Sequence, residues 1–229
     1  MKLVSIIFSL FLTLTLSAKG VDLKQFENVD IIKNNGMKVV KALEIDGIYF
    51  VKVEKNGSTM NFFISKNKKV LIQGSGVNTS DMSKVAFPID PKLLLGKEDI
   101  TFGTGKEVLY VFTDPECPYC KKFDNKMQTL GKKYTFKLFM FPLGFHHKAK
   151  AMTEWVLSAS TEKEKAKRLN AVSNGSTEYQ RAKISQKDKD RVAKILEKNK
   201  AIAKEISVQG TPTVFDAKMQ SVNWSQLKP

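Results

Sequence analysis

Cysteine is scarce: the 229-residue chain has two, Cys117 and Cys120. That excludes a disulfide-stapled miniprotein and a four-thiolate zinc or iron–sulfur scaffold. Histidine is as rare, with only the neighbours His146 and His147. Adjacent side chains rarely converge on one point, so two thiolates would lack the further ligands that a zinc site needs, and no metal is expected. The pair reads instead as two histidines on a surface at a helix start. Arginine is nearly absent, since Arg168, Arg181 and Arg191 are the only three among 38 cationic side chains. A protein built to grip phosphates uses the guanidinium fork more freely. The formal charge of +15 therefore reads as a solvated lysine surface, and no nucleic-acid partner is expected. Internal repeats and low-complexity tracts are missing. What is present, 42% apolar and 27% charged residues, is the composition of a globular chain of one or two domains.

One long apolar run stands at the start. Lys2 precedes an uncharged, mostly apolar stretch from Leu3 to Leu16, followed by the small residues Ser17 and Ala18. This is the layout of a secretory signal, too short for a spanning helix and followed at once by polar sequence. The expected signal peptide is 1–18, with a mature protein beginning near Lys19 in an exported, oxidising compartment. Beyond it no segment is apolar enough to cross a membrane.

The mature sequence divides into two bodies and a connector. Between Val21 and Asn35 the apolar residues Leu23, Phe26, Val29 and Ile32 predict a short amphipathic helix, stopped by Gly36. A strand meander follows: Ile45 to Val53, a turn at Asn56-Gly57, Met60 to Ser65, a turn at Lys66-Asn67-Lys68, and Val70 to Gln73. A piece of about sixty residues (19–80) with so few strands has a marginal core by itself, and pairing with a second copy would stabilise it. Residues 81–105, punctuated by Pro88, Pro91, Gly96, Gly103 and Gly105, read as a linker. The second body, 106–229, opens with the unbroken apolar run Val108-Leu109-Tyr110-Val111-Phe112, suited to a strand buried on both faces. It continues with a helix from Cys117 to Leu130, a strand from Tyr134 to Phe141, helix over 146–173, a helix from Lys187 to Ile206, a strand at Thr213-Val214-Phe215 and a short one around Ser221–Asn223. The order describes an α/β (α+β) layer fold with a helical insertion.

The chemistry sits at Cys117-Pro118-Tyr119-Cys120. Helix positions i and i+3 share a face, so the two sulfurs lie within bonding reach. The first thiol stands at a helix N-terminus, where unpaired N–H groups favour the thiolate that attacks disulfides. Cys117 is thus the expected nucleophile and Cys120, one turn inside, the resolving thiol. Pro118 suits the first helical turn, where its missing N–H leaves no bond unmade. Two blander readings stand beside this one. A structural disulfide closing so small a ring would stabilise little, and a metal site lacks ligands. A second motif, Gly210-Thr211-Pro212-Thr213, precedes a strand, a place where an X-Pro bond can be held cis; an ordinary turn is the competing reading.

Taken together, Phe112-Thr113-Asp114-Pro115-Glu116-Cys117-Pro118-Tyr119-Cys120-Lys121-Lys122, Phe141-Pro142 and Gly210-Thr211-Pro212-Thr213-Val214 resemble the DsbC/DsbG family of periplasmic thiol:disulfide interchange proteins. Ile45–Tyr49 through Lys69–Gly74 is similar to that family's small dimerisation domain. The resemblance implies a thioredoxin-like catalytic domain, preceded by a small α+β dimerisation domain. It implies Cys117–Cys120 as the redox pair with no other cofactor, Pro118 and Tyr119 as the active-site loop, and Pro212 as a cis proline preceded by Thr211 beside the substrate. It further implies a periplasmic homodimer that isomerises or reduces disulfides in misfolded or oxidised exported proteins, kept reduced by a membrane thiol reductant of the DsbD/CcdA type. DsbG-like reduction of sulfenylated single cysteines, DsbA-like oxidation and a chaperone without thiol chemistry are the alternatives. Unlike DsbC-type chains, this one has no further cysteine for a second, structural disulfide.

Overall fold

The computed structural model describes residues 21–79 and 84–229, so the signal peptide expected at 1–18 lies outside the described residues. The described residues form two compact units that divide after Gly74, 21–74 and 75–229.

In the first unit the expected helix over 21–35 is two pieces, a 3₁₀ turn Leu23–Phe26 and a short helix α1, Asp30–Asn34. The reason lies in the spacing itself. Apolar residues at strict intervals of three match the 3₁₀ repeat of three residues per turn, whereas an α-helix needs alternating threes and fours. Asp22 caps the first piece by accepting from the Lys24 amide. Four antiparallel strands follow in sequential order: β1 Lys38–Ile45, β2 Ile48–Lys55, β3 Ser58–Ser65 and β4 Leu71–Gln73. Strand β1 precedes the expected meander, and the strand expected over Ile45 to Val53 starts only at Ile48. Its hairpin turn is Asp46-Gly47, both at positive φ, as are Asn56-Gly57 in the next hairpin. Such pairs fit a two-residue turn whose twist matches the strands. Register sets Val51 opposite both Ala42 and Phe62. These pack with Phe26, Ile32, Tyr49, Val53 and Ile64 into one apolar cluster, where the Phe26 and Tyr49 rings meet edge to face at 5.1 Å.

The second unit, from residue 75, takes in the whole stretch expected as a linker. Leu94 is fully buried, and β5, Ile100–Phe102, pairs antiparallel with Phe136–Leu138. Gly103 and Gly105 let the following turn lie against the backbone of residues 131–134, where a Cβ at either position would overlap main-chain atoms. Its remaining elements are β6 Glu107–Thr113, α2 Pro118–Leu130, β7 Tyr134–Met140, α3 Ala149–Leu157, α4 Glu162–Ser173, α5 Gln186–Glu205 and β8 Thr213–Asp216. The sheet order is β5-β7-β6-β8, with β6 and β7 parallel and α2 as their crossover. Alternation along β6 sends Leu109 and Val111 into one cluster, with Phe123, Met127, Phe136, Leu138 and Val156. Tyr110 and Phe112 go into the other, with Phe139, Ile202 and Phe215. A strand buried on both faces explains the unbroken apolar run.

The helical stretch expected over 146–173 is two helices. Ser158 closes α3, and the Thr161 hydroxyl accepts from the Glu164 amide to open α4. Hydroxyl side chains that bond the backbone locally favour ends over interiors. The short strand expected at Ser221–Asn223 reduces to a single bridge, Phe215 to Ser221, before a 3₁₀ turn Trp224–Gln226. No described helix is long and apolar enough to cross a membrane.

Candidate active site

Strand β6 ends at Thr113, and four residues later the chain enters α2. The helix forms here because Pro118 takes its first position, because Phe123, Met127 and Leu130 are buried at helical spacing, and because Gly131 closes it. Cys117 is the N-cap, in extended backbone geometry. Both thiols are free and buried, 4% and 3% exposed. Tyr119 between them is 62% exposed, with Lys122 Nζ 5.8 Å from its ring centre.

The loop before β8 meets this helix end from across the sheet. The Thr211–Pro212 peptide bond is cis, and the Cys117 thiol lies 3.4 Å from the Thr211 carbonyl oxygen, to which it donates. Cys120 Sγ accepts from the Asp114 amide at 3.4 Å. The structure thus brings together Cys117, Cys120, Thr211 and Pro212, residues up to 94 apart in sequence.

The surroundings of Cys120 are unfavourable to charge. Burial pushes the Cys120 thiol up to about 12, against the smaller opposing effects of the nearby Thr211 and Thr113 side chains and of the hydrogen bond from the Asp114 amide. A thiol so placed stays protonated near neutral pH, and disulfide exchange needs thiolate. Cys117, at the helix end, is the sulfur next to unpaired N–H groups. What separates the two buried sulfurs is place: Cys117 is the N-cap beside the Thr211 carbonyl, and Cys120 lies one turn inside the helix.

Residues that sequence patterns do not single out surround the pair. Asp114 is fully buried. Its carboxylate accepts from the Glu116 amide at 2.8 Å and the Leu143 amide at 2.7 Å, and it meets His146 Nδ1 at 2.8 Å. His146 is therefore not a surface histidine at a helix start; only His147 is exposed. Glu116 Oε2 accepts from the Lys148 amide at 2.6 Å, at the N-terminal end of α3. The one sequence signal for this link is an acidic residue on each side of Pro115, which by itself reads as a turn. Among the described residues no three His, Cys, Asp or Glu side chains gather into a group that could hold a metal ion.

A family profile described as a thioredoxin-like domain matches residues 99–219. No curated protein matches the chain. Among solved structures, a thioredoxin-like oxidoreductase from Silicibacter pomeroyi DSS-3 superposes with a TM-score of 0.50 at 17% identity, over 60% of this chain and 93% of that one. Helicobacter pylori DsbG gives 0.44 at 15% identity, over 81% of this chain and 97% of its own. The catalytic domain of Proteus mirabilis ScsC gives 0.44 at 21%, over 59% and 88%.

Proposed function

The chain belongs to the thioredoxin-like domain family, and on that premise we propose that it is a thiol-disulfide oxidoreductase acting through Cys117 and Cys120. The observation that carries this reading is the asymmetry of the two sulfurs. Cys117 stands at the helix N-terminus against the Thr211 carbonyl, and Cys120 is buried one turn behind, its thiol raised to about 12. The Cys117 thiolate attacks a substrate disulfide, forming the Cys117–substrate bond and releasing the other substrate sulfur as a thiolate, which takes up a proton. In isomerisation that freed sulfur, as its thiolate, attacks a second substrate disulfide; the thiolate released there attacks the substrate sulfur bonded to Cys117, so that a new substrate disulfide forms and Cys117 leaves as the thiolate. In reduction the Cys120 thiolate displaces the substrate, leaving Cys117–Cys120 oxidised; two electrons from a membrane thiol reductant of the DsbD/CcdA type restore the dithiol.

We further infer the finer assignment: a periplasmic homodimer that isomerises or reduces disulfides of exported proteins. The leader-like residues 1–18 support export. Thr211 before Pro212 supports the isomerase branch. The first unit supports pairing with a second copy, because Val70 and Ile72 beside or on the edge strand β4 are 55% and 58% exposed. The exposed Tyr119 ring and the Thr211–Pro212 backbone supply contacts for an extended substrate chain. Reduction of a sulfenylated cysteine uses the same two steps, with water as leaving group.

The test is the redox state of Cys117–Cys120 in growing cells, trapped by acid and thiol labelling. A largely reduced pair fits the isomerase or reductase, whereas an almost wholly oxidised pair makes the protein an oxidase. Refolding of scrambled ribonuclease and reduction of a sulfenic acid then separate the two reductive activities. Light scattering of the mature chain reads the dimer, and a monomer removes that part of the assignment.

A further inference from the structure

The buried carboxylate of Asp114 has no place in the exchange steps just described, yet it is held by three donors within 2.8 Å. What those bonds orient is one peptide unit, the plane containing the Thr113 carbonyl and the Asp114 N–H. The carbonyl accepts from the Phe141 amide at 2.7 Å, one residue beyond the register in which Thr113 faces Met140. The N–H points to Cys120 Sγ at 3.4 Å. Because a peptide is planar, fixing its carbonyl end fixes the direction of its N–H. A donor on the carbonyl also polarises the unit and makes its N–H a stronger donor. Residue 114 is then pinned at its side chain by the same segment, through the Leu143 amide and the His146 ring. Flanked by two backbone donors, the carboxylate offers His146 only lone pairs, so Nδ1 carries the hydrogen. The His146 side chain is 15% exposed and meets the Phe145 ring edge-on at 4.5 Å between centroids, which limits water access to the contact.

We propose that Asp114 and His146 are a positioning pair for the resolving sulfur, aiming the Thr113–Asp114 N–H at Cys120 so that its thiolate is stabilised when it attacks the mixed disulfide. The proposal rests on the oxidoreductase reading above. In the step concerned, the Cys120 thiol gives its proton to solvent and its sulfur attacks Cys117 Sγ. The Cys117–Cys120 bond forms as the bond from Cys117 to the substrate sulfur breaks, and the substrate sulfur leaves with the electron pair. Charge appears on Cys120 only in this step, so a donor aimed at Cys120 accelerates the second displacement more than the first. A loop staple with no such role would affect both displacements alike, or stability alone.

The experiment uses the reduced mature protein and a chromogenic aryl disulfide, each half of which absorbs once freed. The first release reports attack by Cys117 and the second reports attack by Cys120. His146→Ala is expected to lower the ratio of second to first rate by about tenfold, the size of one hydrogen bond to a charged group. His146→Asn, whose amide nitrogen takes the place of Nδ1, restores the ratio. Should alanine unfold the loop, His146→Gln replaces it, having similar bulk but an amide displaced from the Nδ1 position, and the same fall is expected. An unchanged ratio beside a normal wild-type trace overturns this proposal alone, as does a fall that asparagine does not repair. A wild-type trace without a second release overturns the oxidoreductase reading and this inference with it.

Discussion

Among the described residues the first unit buries one charged side chain, Lys52, and the second sinks three carboxylates into its interior. In the first unit the ion pair of Lys66 with Glu44 leaves both side chains more than two-fifths exposed. Its core is one apolar cluster built on Phe26, Val51 and Ile64. In the second, Asp99, Asp114 and Asp124 are each at most 7% exposed and each tie one element to another. Asp99 takes the Met140 amide and the Lys198 ammonium, Asp124 takes the Asn170 amide, and Asp114 takes the 143–146 segment. A buried carboxylate adds little net stability and a firm geometry. The unit that holds the two sulfurs is the one that gives up stability for geometry through these carboxylates; the unit that holds none is packed mainly by apolar contact.

That contrast can be broken first in the cores. Phe136 is fully buried among Phe102, Phe123 and Tyr134, and Phe136→Ala is expected to cost the second unit about 3–5 kcal/mol. Both tryptophans, Trp155 and Trp224, lie in that unit, so their fluorescence during guanidinium unfolding reads it alone. Phe26→Ala removes a comparable ring from the first unit, also at about 3–5 kcal/mol. It should shift the circular-dichroism transition while leaving the fluorescence midpoint in place. A fluorescence midpoint that moves with Phe26→Ala would mean that the units unfold as one.

A smaller effect tests the buried charge. Burial holds the Asp99 carboxyl above its usual range, outweighing the Lys198 charge, the Met140 amide and the Asn199 amide. For an acid raised in the folded state, stability is greatest below the unfolded value, near about pH 4, and is lost as pH rises through the folded value. Asp99→Asn removes that loss, so the variant should gain on the wild type in fluorescence-detected stability between mild acid and neutral pH. A variant that loses ground over this range would show that the Lys198 pairing dominates. The smallest effect belongs to the surface pair: Glu44→Gln should leave the unfolding of the first unit unchanged within error, at low and at high salt. A clear loss would place that pair among the geometric ties found in the second unit.

What sequence reveals of the site is what is local in sequence. Cys117 and Cys120 share one helical turn, and Thr211-Pro212 sits in a four-residue motif, so both are legible without a fold. The tie from Asp114 to His146 spans 32 residues and exists only once β6 and β7 lie side by side; neither residue carries a pattern that names the other. Strand β5 is hidden for a related reason. Three residues between glycines read as a linker, and only antiparallel pairing with Phe136–Leu138 makes them a strand. Strand β1 is masked by the bulge between Val39 and Lys41, which breaks the alternation. Apolar periodicity finds α2, α5 and β6 because each carries its full face within itself.

The aromatic stacks of the second unit have a consequence for how such a protein comes into being. Phe112 on Phe139 at 5.0 Å and Phe123 against Phe136 at 6.0 Å help hold together a chain whose only two cysteines stand three residues apart at the start of α2. A chain without cross-links can take its final shape before any oxidant has acted on it, and it offers later thiols nothing to scramble. Under the proposed function this is independence from its own trade: the chain would fold with no help from the reaction it performs, and no mistake in that reaction could be written into its own fold.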